Sequence, residues 1–122
     1  LTKSYLNLSE DGFCVIGGND GLILDTLIAG GTGAIAATAN VIPHILVSMY
    51  NHFLAGELEA ARKDQESIKP LRADFGLGTA PGIIKAFAKI RNWDCGYNRR
   101  PIIIDSPEVL EKLRKTWNEH YN

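Results

Sequence analysis

The sequence predicts an α/β fold, a parallel strand pair followed by a helical second half, and two observations carry that reading. The stretch from Phe13 to Pro43 reads as strand, loop, helix, tight turn, strand and loop, with two charged residues in it. Charge is also divided unevenly. Residues 1–56 hold five charged side chains, net −3, whereas residues 57–122 hold twenty-two, net +2. The first part has the composition of an interior and the second that of surface helices. At 122 residues and 45% hydrophobic, the chain has the size of one ordinary domain.

Taken in order, Leu1 to Ser9 reads as the tail of a helix with Tyr5, Leu6 and Leu8 as its apolar positions, and Glu10-Asp11-Gly12 as a turn. Phe13-Cys14-Val15-Ile16 is a short apolar run closed by Gly17-Gly18, which suits a buried strand. Asn19 or Asp20 can cap the next helix by accepting a free backbone N–H, and Ile23, Leu24, Leu27 and Ile28 then share a face. Gly30-Gly31 stops that helix, and Ala34 to Ala37 is the second strand. Two uncharged strands joined by one helix make a right-handed βαβ unit, with both strands expected to be buried on both faces.

Pro43 fits the first turn of a helix, where its missing N–H is harmless. Ile42, Ile45, Leu46, Met49, Tyr50, Phe53 and Leu54 give this helix its apolar stripe, and Gly56 ends it at C′. A weaker stripe follows in Leu58, Ala61, Gln65, Ile68 and Leu71, with Glu59 and Lys63 spaced for an ion pair and Pro70 expected to break the helix near Lys69. Gly76 to Thr79 is a loop, and Pro81 opens a helix carrying Ile83, Ile84, Phe87, Ala88 and Ile90. Trp93 to Asp105 is irregular, extended over Pro101 to Ile104. Asp105 or Ser106 caps a last helix with Pro107 in its first turn and Leu110, Leu113, Trp117 and Tyr121 inward.

Several function classes are set aside. A net charge of −1 gives no electrostatic reason to expect nucleic acid or an anionic membrane as partner. Thr26 to Gly56 lacks any charged residue, yet Gly30, Gly31, Gly33, Asn40, Pro43 and His44 interrupt the ~20 apolar residues a membrane span needs. The polar start LTKSYLNLSEDG has neither a signal-peptide pattern nor an initiating Met, so the expectation is a piece of a longer chain or a processed product. Cys14 and Cys95 have no spacing motif and read as reduced structural thiols in a cytoplasmic protein.

Ligands of parallel α/β sheets bind at the carboxyl ends of the strands. That rule selects Gly17-Gly18-Asn19-Asp20 and Thr38-Ala39-Asn40-Val41. Gly18 allows close backbone approach, and Asn19, Asp20, Thr38 and Asn40 offer hydrogen bonds, although Asp20 and Asn40 read more simply as caps of the helices that follow. Gly30-Gly31-Thr32-Gly33 follows a helix and opens a strand, the reverse of a phosphate loop, and reads as a tight turn on the opposite face. His44, His52 and His120 share no metal-ligand spacing. Lys85 is flanked by apolar residues as an imine-forming lysine would be, but a helix carries it and snorkelling is the simpler reading.

Val15-Ile16-Gly17-Gly18-Asn19-Asp20 followed by Ala29-Gly30-Gly31-Thr32-Gly33-Ala34-Ile35-Ala36-Ala37-Thr38-Ala39-Asn40-Val41 resembles the dihydrodipicolinate synthase / N-acetylneuraminate lyase family of pyruvate-type class I aldolases. The likeness extends through Tyr50–Leu71 and Gly96-Tyr97-Asn98-Arg99-Arg100-Pro101-Ile102 to cover the whole chain. It implies the C-terminal portion of a TIM (β/α)8 barrel, its last two βα units within residues 1–56, and a helical extension over residues 57–122. It also implies a lyase that makes or breaks a carbon–carbon bond next to pyruvate through a lysine imine, with no metal or other cofactor. The partners implied are pyruvate, an aldehyde or sugar acid, the rest of the barrel and copies of the chain in a homo-oligomer, a tetramer by family habit.

By the same resemblance the imine lysine, the catalytic tyrosine and the carboxylate-gripping threonines lie on earlier strands, so this chain holds no catalytic residue and should be inactive alone. Gly18, Asn19 and Asp20 match the family's substrate-side loop, the Asp20 position touching the sugar chain in the sialic acid lyase branch. Ile35 matches a residue whose carbonyl faces the site. There are departures. Asn19-Asp20 stands where the synthases usually have two acids, and Gly78-Thr79-Ala80-Pro81-Gly82-Ile83-Ile84-Lys85 where they read Glu-Pro-Asn-Pro-Ile-Pro-Val-Lys. Gly21 and Ala37 stand where sialic acid lyases usually have an acid and a serine. A 2-keto-3-deoxy sugar acid aldolase, an N-acetylneuraminate lyase and a non-catalytic truncated module therefore stay open, with a small phosphate binder last.

Overall fold

Two short parallel strands and the polar turns beyond their carboxyl ends organise the molecule, which a computed structural model describes over residues 2–8 and 12–122. The turn expected at Glu10-Asp11-Gly12 lies outside the described residues except for Gly12. After α1 (Thr2–Leu8) come β1 (Ile16–Gly17), α2 (Ile23–Ile28) and β2 (Gly33–Ala34). Ile16 pairs with Gly33 and Gly17 with Ala34. Bonds from Thr32 N to the Val15 carbonyl and from Ile35 N to the Gly17 carbonyl extend the ladder at either end. At Gly31 a Cβ would fall 2.5 Å from Thr26 Cγ2 and 2.8 Å from the Thr26 carbonyl, so glycine there lets the turn close against α2.

Both strands are shorter than the apolar runs suggested, and the expectation that they are buried on both faces is corrected. Val15 and Gly17 are buried toward α2, and Ala34 and Ala36 pack against the core. The opposite face is open: Ile16 is 53% exposed and Ile35 76%, with Phe13 at 69% just before the strand. The physical reason is that a parallel strand is paired with neighbours at its sides, covered by helices on one face and, in a barrel, covered on the other by side chains from strands across the interior. Among the described residues the sheet has two strands only. The second strand also stops early, because residues Ala37–Asn40 turn into a 3₁₀ helix.

The helices follow their sequence signals closely. α3 (Pro43–Leu54) ends at Ala55, and Gly56 adopts φ +77°. The amides of Gly56 and Glu57 then bond the carbonyls of Phe53 and His52, the paired bonds of a Schellman cap. Its stripe buries Ile42 and Met49 fully, but Tyr50 and Leu54 are exposed. α4 (Leu58–Ser67) and α5 (Lys69–Ala73) part at Ile68, where Pro70 cannot supply the next N–H. The ion pair on this run is Glu66 with Lys69, not the expected Glu59 with Lys63. A 3₁₀ turn over Asp74–Leu77 leads to α6 (Ala80–Ile90), and residues 93–105 are irregular. α7 (Pro107–His120) is capped by Ser106, whose Oγ accepts from Val109 N at 3.4 Å and donates to Glu108 at 2.5 Å. Cys14 and Cys95 are free and exposed rather than packed inside.

One core joins both halves. Leu24, Val41, Ile42 and Met49 from the first part meet Ile68, Leu71, Ile83, Phe87 and Leu113 from the second. Polar bonds reinforce it at α7: the Tyr121 hydroxyl donates to the Ser67 carbonyl at 2.7 Å and accepts from Leu71 N at 3.2 Å. The Arg91 guanidinium donates to the Val41 carbonyl and lies 4.0 Å over the Trp93 ring. Partial burial raises the Tyr121 pKa above its ordinary value, against the lowering by the Leu71 N–H and with a smaller push from the Asp74 carboxylate.

Two outcomes are expected. The purified 122-residue chain should self-associate, bind an apolar dye and melt without a sharp transition, because the strand edges and the Ile16–Ile35 face are open. Sedimentation and thermal melting test this, and a dye-free monomer with a cooperative transition would contradict it. Tyr121 yields a pH effect. Its folded pKa is raised, so its contribution is whole below the unfolded value of ~10 and is lost as pH rises through the folded value. Denaturant titration of the complete protein should show a smaller alkaline loss in Tyr121→Phe, alongside a loss of about 1–3 kcal/mol at neutral pH from the unpaired Leu71 N–H.

Candidate functional site

The loops beyond the carboxyl ends of β1 and β2 are built around Asp20. Asp20 is buried, 6% exposed. One carboxylate oxygen accepts from Ala37 N at 3.3 Å and the other from Thr38 N at 2.8 Å. The acid therefore caps the turn on the neighbouring loop, which corrects the simpler reading that it caps the helix following its own loop. Asn19 performs that local cap, its Oδ1 accepting from Gly21 N at 3.0 Å. Gln65 of α4 reaches the same place, donating to the Asp20 carbonyl at 2.9 Å and accepting from Leu24 N at 3.0 Å.

The structure thus gathers Gly18, Asn19, Asp20 and Ile35 at one end of the strand pair. Gly18 is exposed, with open space where a Cβ would stand. Ile35 donates the last ladder bond, to the Gly17 carbonyl, and is exposed. Thr38 departs from expectation: it is fully buried, its hydroxyl has no partner, and it offers nothing to a ligand at the surface. Asn40 bonds the Ala37 carbonyl at 3.1 Å and serves its own turn. The Gly30–Gly33 turn lies at the other end, where Thr32 meets Val15, as the strand polarity requires.

Arg72 was not singled out by sequence. From α5 its Nη2 donates to Asn19 Oδ1 at 3.1 Å across a separation of 53 residues, a contact no local pattern announces. Lys85 is not a free amine, since its Nζ donates to the Tyr97 carbonyl at 3.0 Å. It borders a cavity of about 910 Å³ between α6, α7 and the irregular segment, with Lys89, Tyr97, Arg100 and Trp117 also in its wall. His52 Nδ1 lies 2.8 Å from Asp64 and 3.4 Å from Ser48 Oγ. Both partners address the same ring nitrogen, so this is a clasp between α3 and α4 and not a relay from serine through histidine to acid. Among the described residues no group of His, Cys, Asp and Glu could hold a metal ion, and no helix is long and apolar enough to cross a membrane.

Such a pair of βα units with polar loops at the carboxyl ends defines a class, the parallel α/β proteins whose site is carried by βα loops. The model of the dihydrodipicolinate synthetase family matches residues 2–120, and the chain belongs to that family. It is 31% identical over 113 residues to a 4-hydroxy-tetrahydrodipicolinate synthase of Archaeoglobus fulgidus, covering 93% of this chain and 39% of the relative. The corresponding protein of Corynebacterium diphtheriae is 30% identical over 119 residues, covering 98% and 40%. In space, the dihydrodipicolinate synthase of Thermotoga maritima superposes with a TM-score of 0.90 at 27% identity, covering 98% of this chain and 41% of that one. A dihydrodipicolinate synthase variant described as monomeric superposes at 0.89 and 27% identity, covering 97% and 40%. The chain spans about two-fifths of the length of these relatives. Its fold is the C-terminal portion of a TIM barrel, the last two βα units with a helical extension.

Replacing Asp20 should therefore act first on the loops. Asp20→Ala removes two charge-assisted acceptors and should lower the stability of the complete protein by about 2–5 kcal/mol, with Asp20→Asn intermediate. Denaturant unfolding measures it. Equal stability in all three proteins would show that the two bonds do not hold the loops.

Proposed function

We propose that this chain is the C-terminal part of a Schiff-base lyase that makes or breaks a carbon–carbon bond next to pyruvate. One observation carries the reading: the family match runs from residue 2 to residue 120, through both candidate loops and the whole helical extension. The imine lysine would come from the segment of the barrel that precedes this chain in its relatives. This chain would supply the wall beside it. Gly18 gives the substrate backbone-close passage, Asn19 offers its amide, Ile35 brings a carbonyl and an apolar surface, and Asp20 shapes the wall by pinning one loop to the other. Residues 1–56 would complete the barrel and residues 57–122 would buttress it from outside. A cytoplasmic homo-oligomer is the assembly that goes with this reading.

A second reading has its own support. Gly78-Thr79-Ala80-Pro81-Gly82-Ile83-Ile84-Lys85 and the Asn19-Asp20 loop depart from the synthase pattern, which favours a sugar-acid aldolase as the branch. The chemistry at pyruvate is common to both branches.

Borohydride trapping with pyruvate tests the central reading. The 122-residue chain alone should give no adduct by mass spectrometry, while the complete protein should give one on a lysine upstream of Leu1. An adduct on Lys85, whose ammonium is bound to the Tyr97 carbonyl, would overturn the assignment.

A further inference from the structure

The geometry points to Arg72 as the residue that receives an anionic group, carboxylate or phosphate, on the second substrate; this rests on the lyase reading above. Arg72 is half-buried, and among the described residues no carboxylate comes within 4.0 Å of its guanidinium. Its Nε is buried without a partner, and among the described residues the guanidinium bonds Asn19 Oδ1 through Nη2. A guanidinium has five donors in a planar fork, and leaving such a cation partly buried and uncompensated is unfavourable. An incoming anion relieves that condition.

Three features aim the site at the loop mouth. First, Gly21 forms a notch for the fork, since a Cβ there would lie 2.1 Å from Arg72 Nη1. Second, Asn19 Oδ1 accepts from the Gly21 amide and from Arg72, so on this exposed residue Nδ2 is the amide group left to donate to a ligand. Third, the Asp20 carboxylate, the nearest acid in sequence to the notch, faces the Ala37 and Thr38 amides instead of competing for Arg72. Next to this pair of donors Gly18 leaves the backbone open. The result is a positively charged corner at the carboxyl end of β1, suited to fork-type recognition of an oxyanion.

The test uses the complete protein with pyruvate and three aldehydes of equal length, ending in a carboxylate, a phosphate or a neutral hydroxymethyl group. Arg72→Gln should raise KM for one or both anionic aldehydes by about 10- to 100-fold, the loss of a hydrogen bond to a charged group. KM for pyruvate and for the neutral aldehyde should hold. Whichever anion responds identifies the group recognised. Arg72→Lys should recover part of the effect, keeping charge without the fork. Gly21→Ala, which displaces the fork, should mimic Arg72→Gln. A variant that changes all three aldehydes alike, or none, overturns the assignment. If the wild-type protein traps no pyruvate imine, the lyase reading fails on its own. Calorimetric titration with succinate and with inorganic phosphate then decides Arg72: binding abolished by Arg72→Gln supports it, and equal or absent binding in both proteins refutes it.

Discussion

Two backbone N–H groups on one loop are held by a single carboxylate on another, and the arrangement at the strand ends depends on that fact. Asp20 lies 17 and 18 residues before the amides of Ala37 and Thr38 that it accepts from. A buried carboxylate is stable only when donors replace its lost water, and these two amides do so. In return the turn over Ala37–Asn40 has its first N–H groups satisfied. Gln65 then ties the carbonyl of the same residue to α4, so one position links both βα loops and the helical extension. Moving any of the three would leave a buried polar group unpaired.

The rest of the molecule is arranged unequally about this node. On the helical side the core is continuous: Phe87, Ile83 and Leu113 are fully buried against Met49, Ile68 and Leu71. Tyr121 and Arg91 add polar ties where α7 and α6 meet earlier elements. On the strand side no such cover is found among the described residues, and Ile16 and Ile35 face outward. An apolar strand face with no partner is the pattern expected where another part of a sheet belongs. The family relation gives that pattern its meaning, since this chain spans only about two-fifths of the length of its relatives.

The chemistry at the loops follows from which charges are satisfied. Asp20 is neutralised locally by backbone dipoles, and Lys85 is anchored to a carbonyl. Arg72 alone of these three bonds a neutral side-chain amide while keeping a buried donor unpaired. A cation left in that state beside an open glycine is a receptor by elementary electrostatics, whereas an acid buried between amides is a brace.

Much was legible in the sequence, wherever the controlling forces are local. The Schellman end at Gly56, the break at Pro70, the Ser106 cap and the start of α3 at Pro43 all depend on residues within one helical turn of the event. The order of strand, helix, glycine turn and strand was legible for the same reason, and so was the end of the strand pair at which Asn19, Asp20 and Ile35 gather. What tertiary structure alone decided involves partners far apart in the chain. Asp20 was free to cap its own helix until the neighbouring loop presented two amides. Arg72 carried no motif, and its role arises from a contact with a residue 53 positions earlier and from a glycine that leaves room for it. Thr38 looked available by loop position but was buried by packing. Local backbone preference can be read from neighbours in sequence, but burial and charge compensation are set by neighbours in space, which only the folded chain brings together.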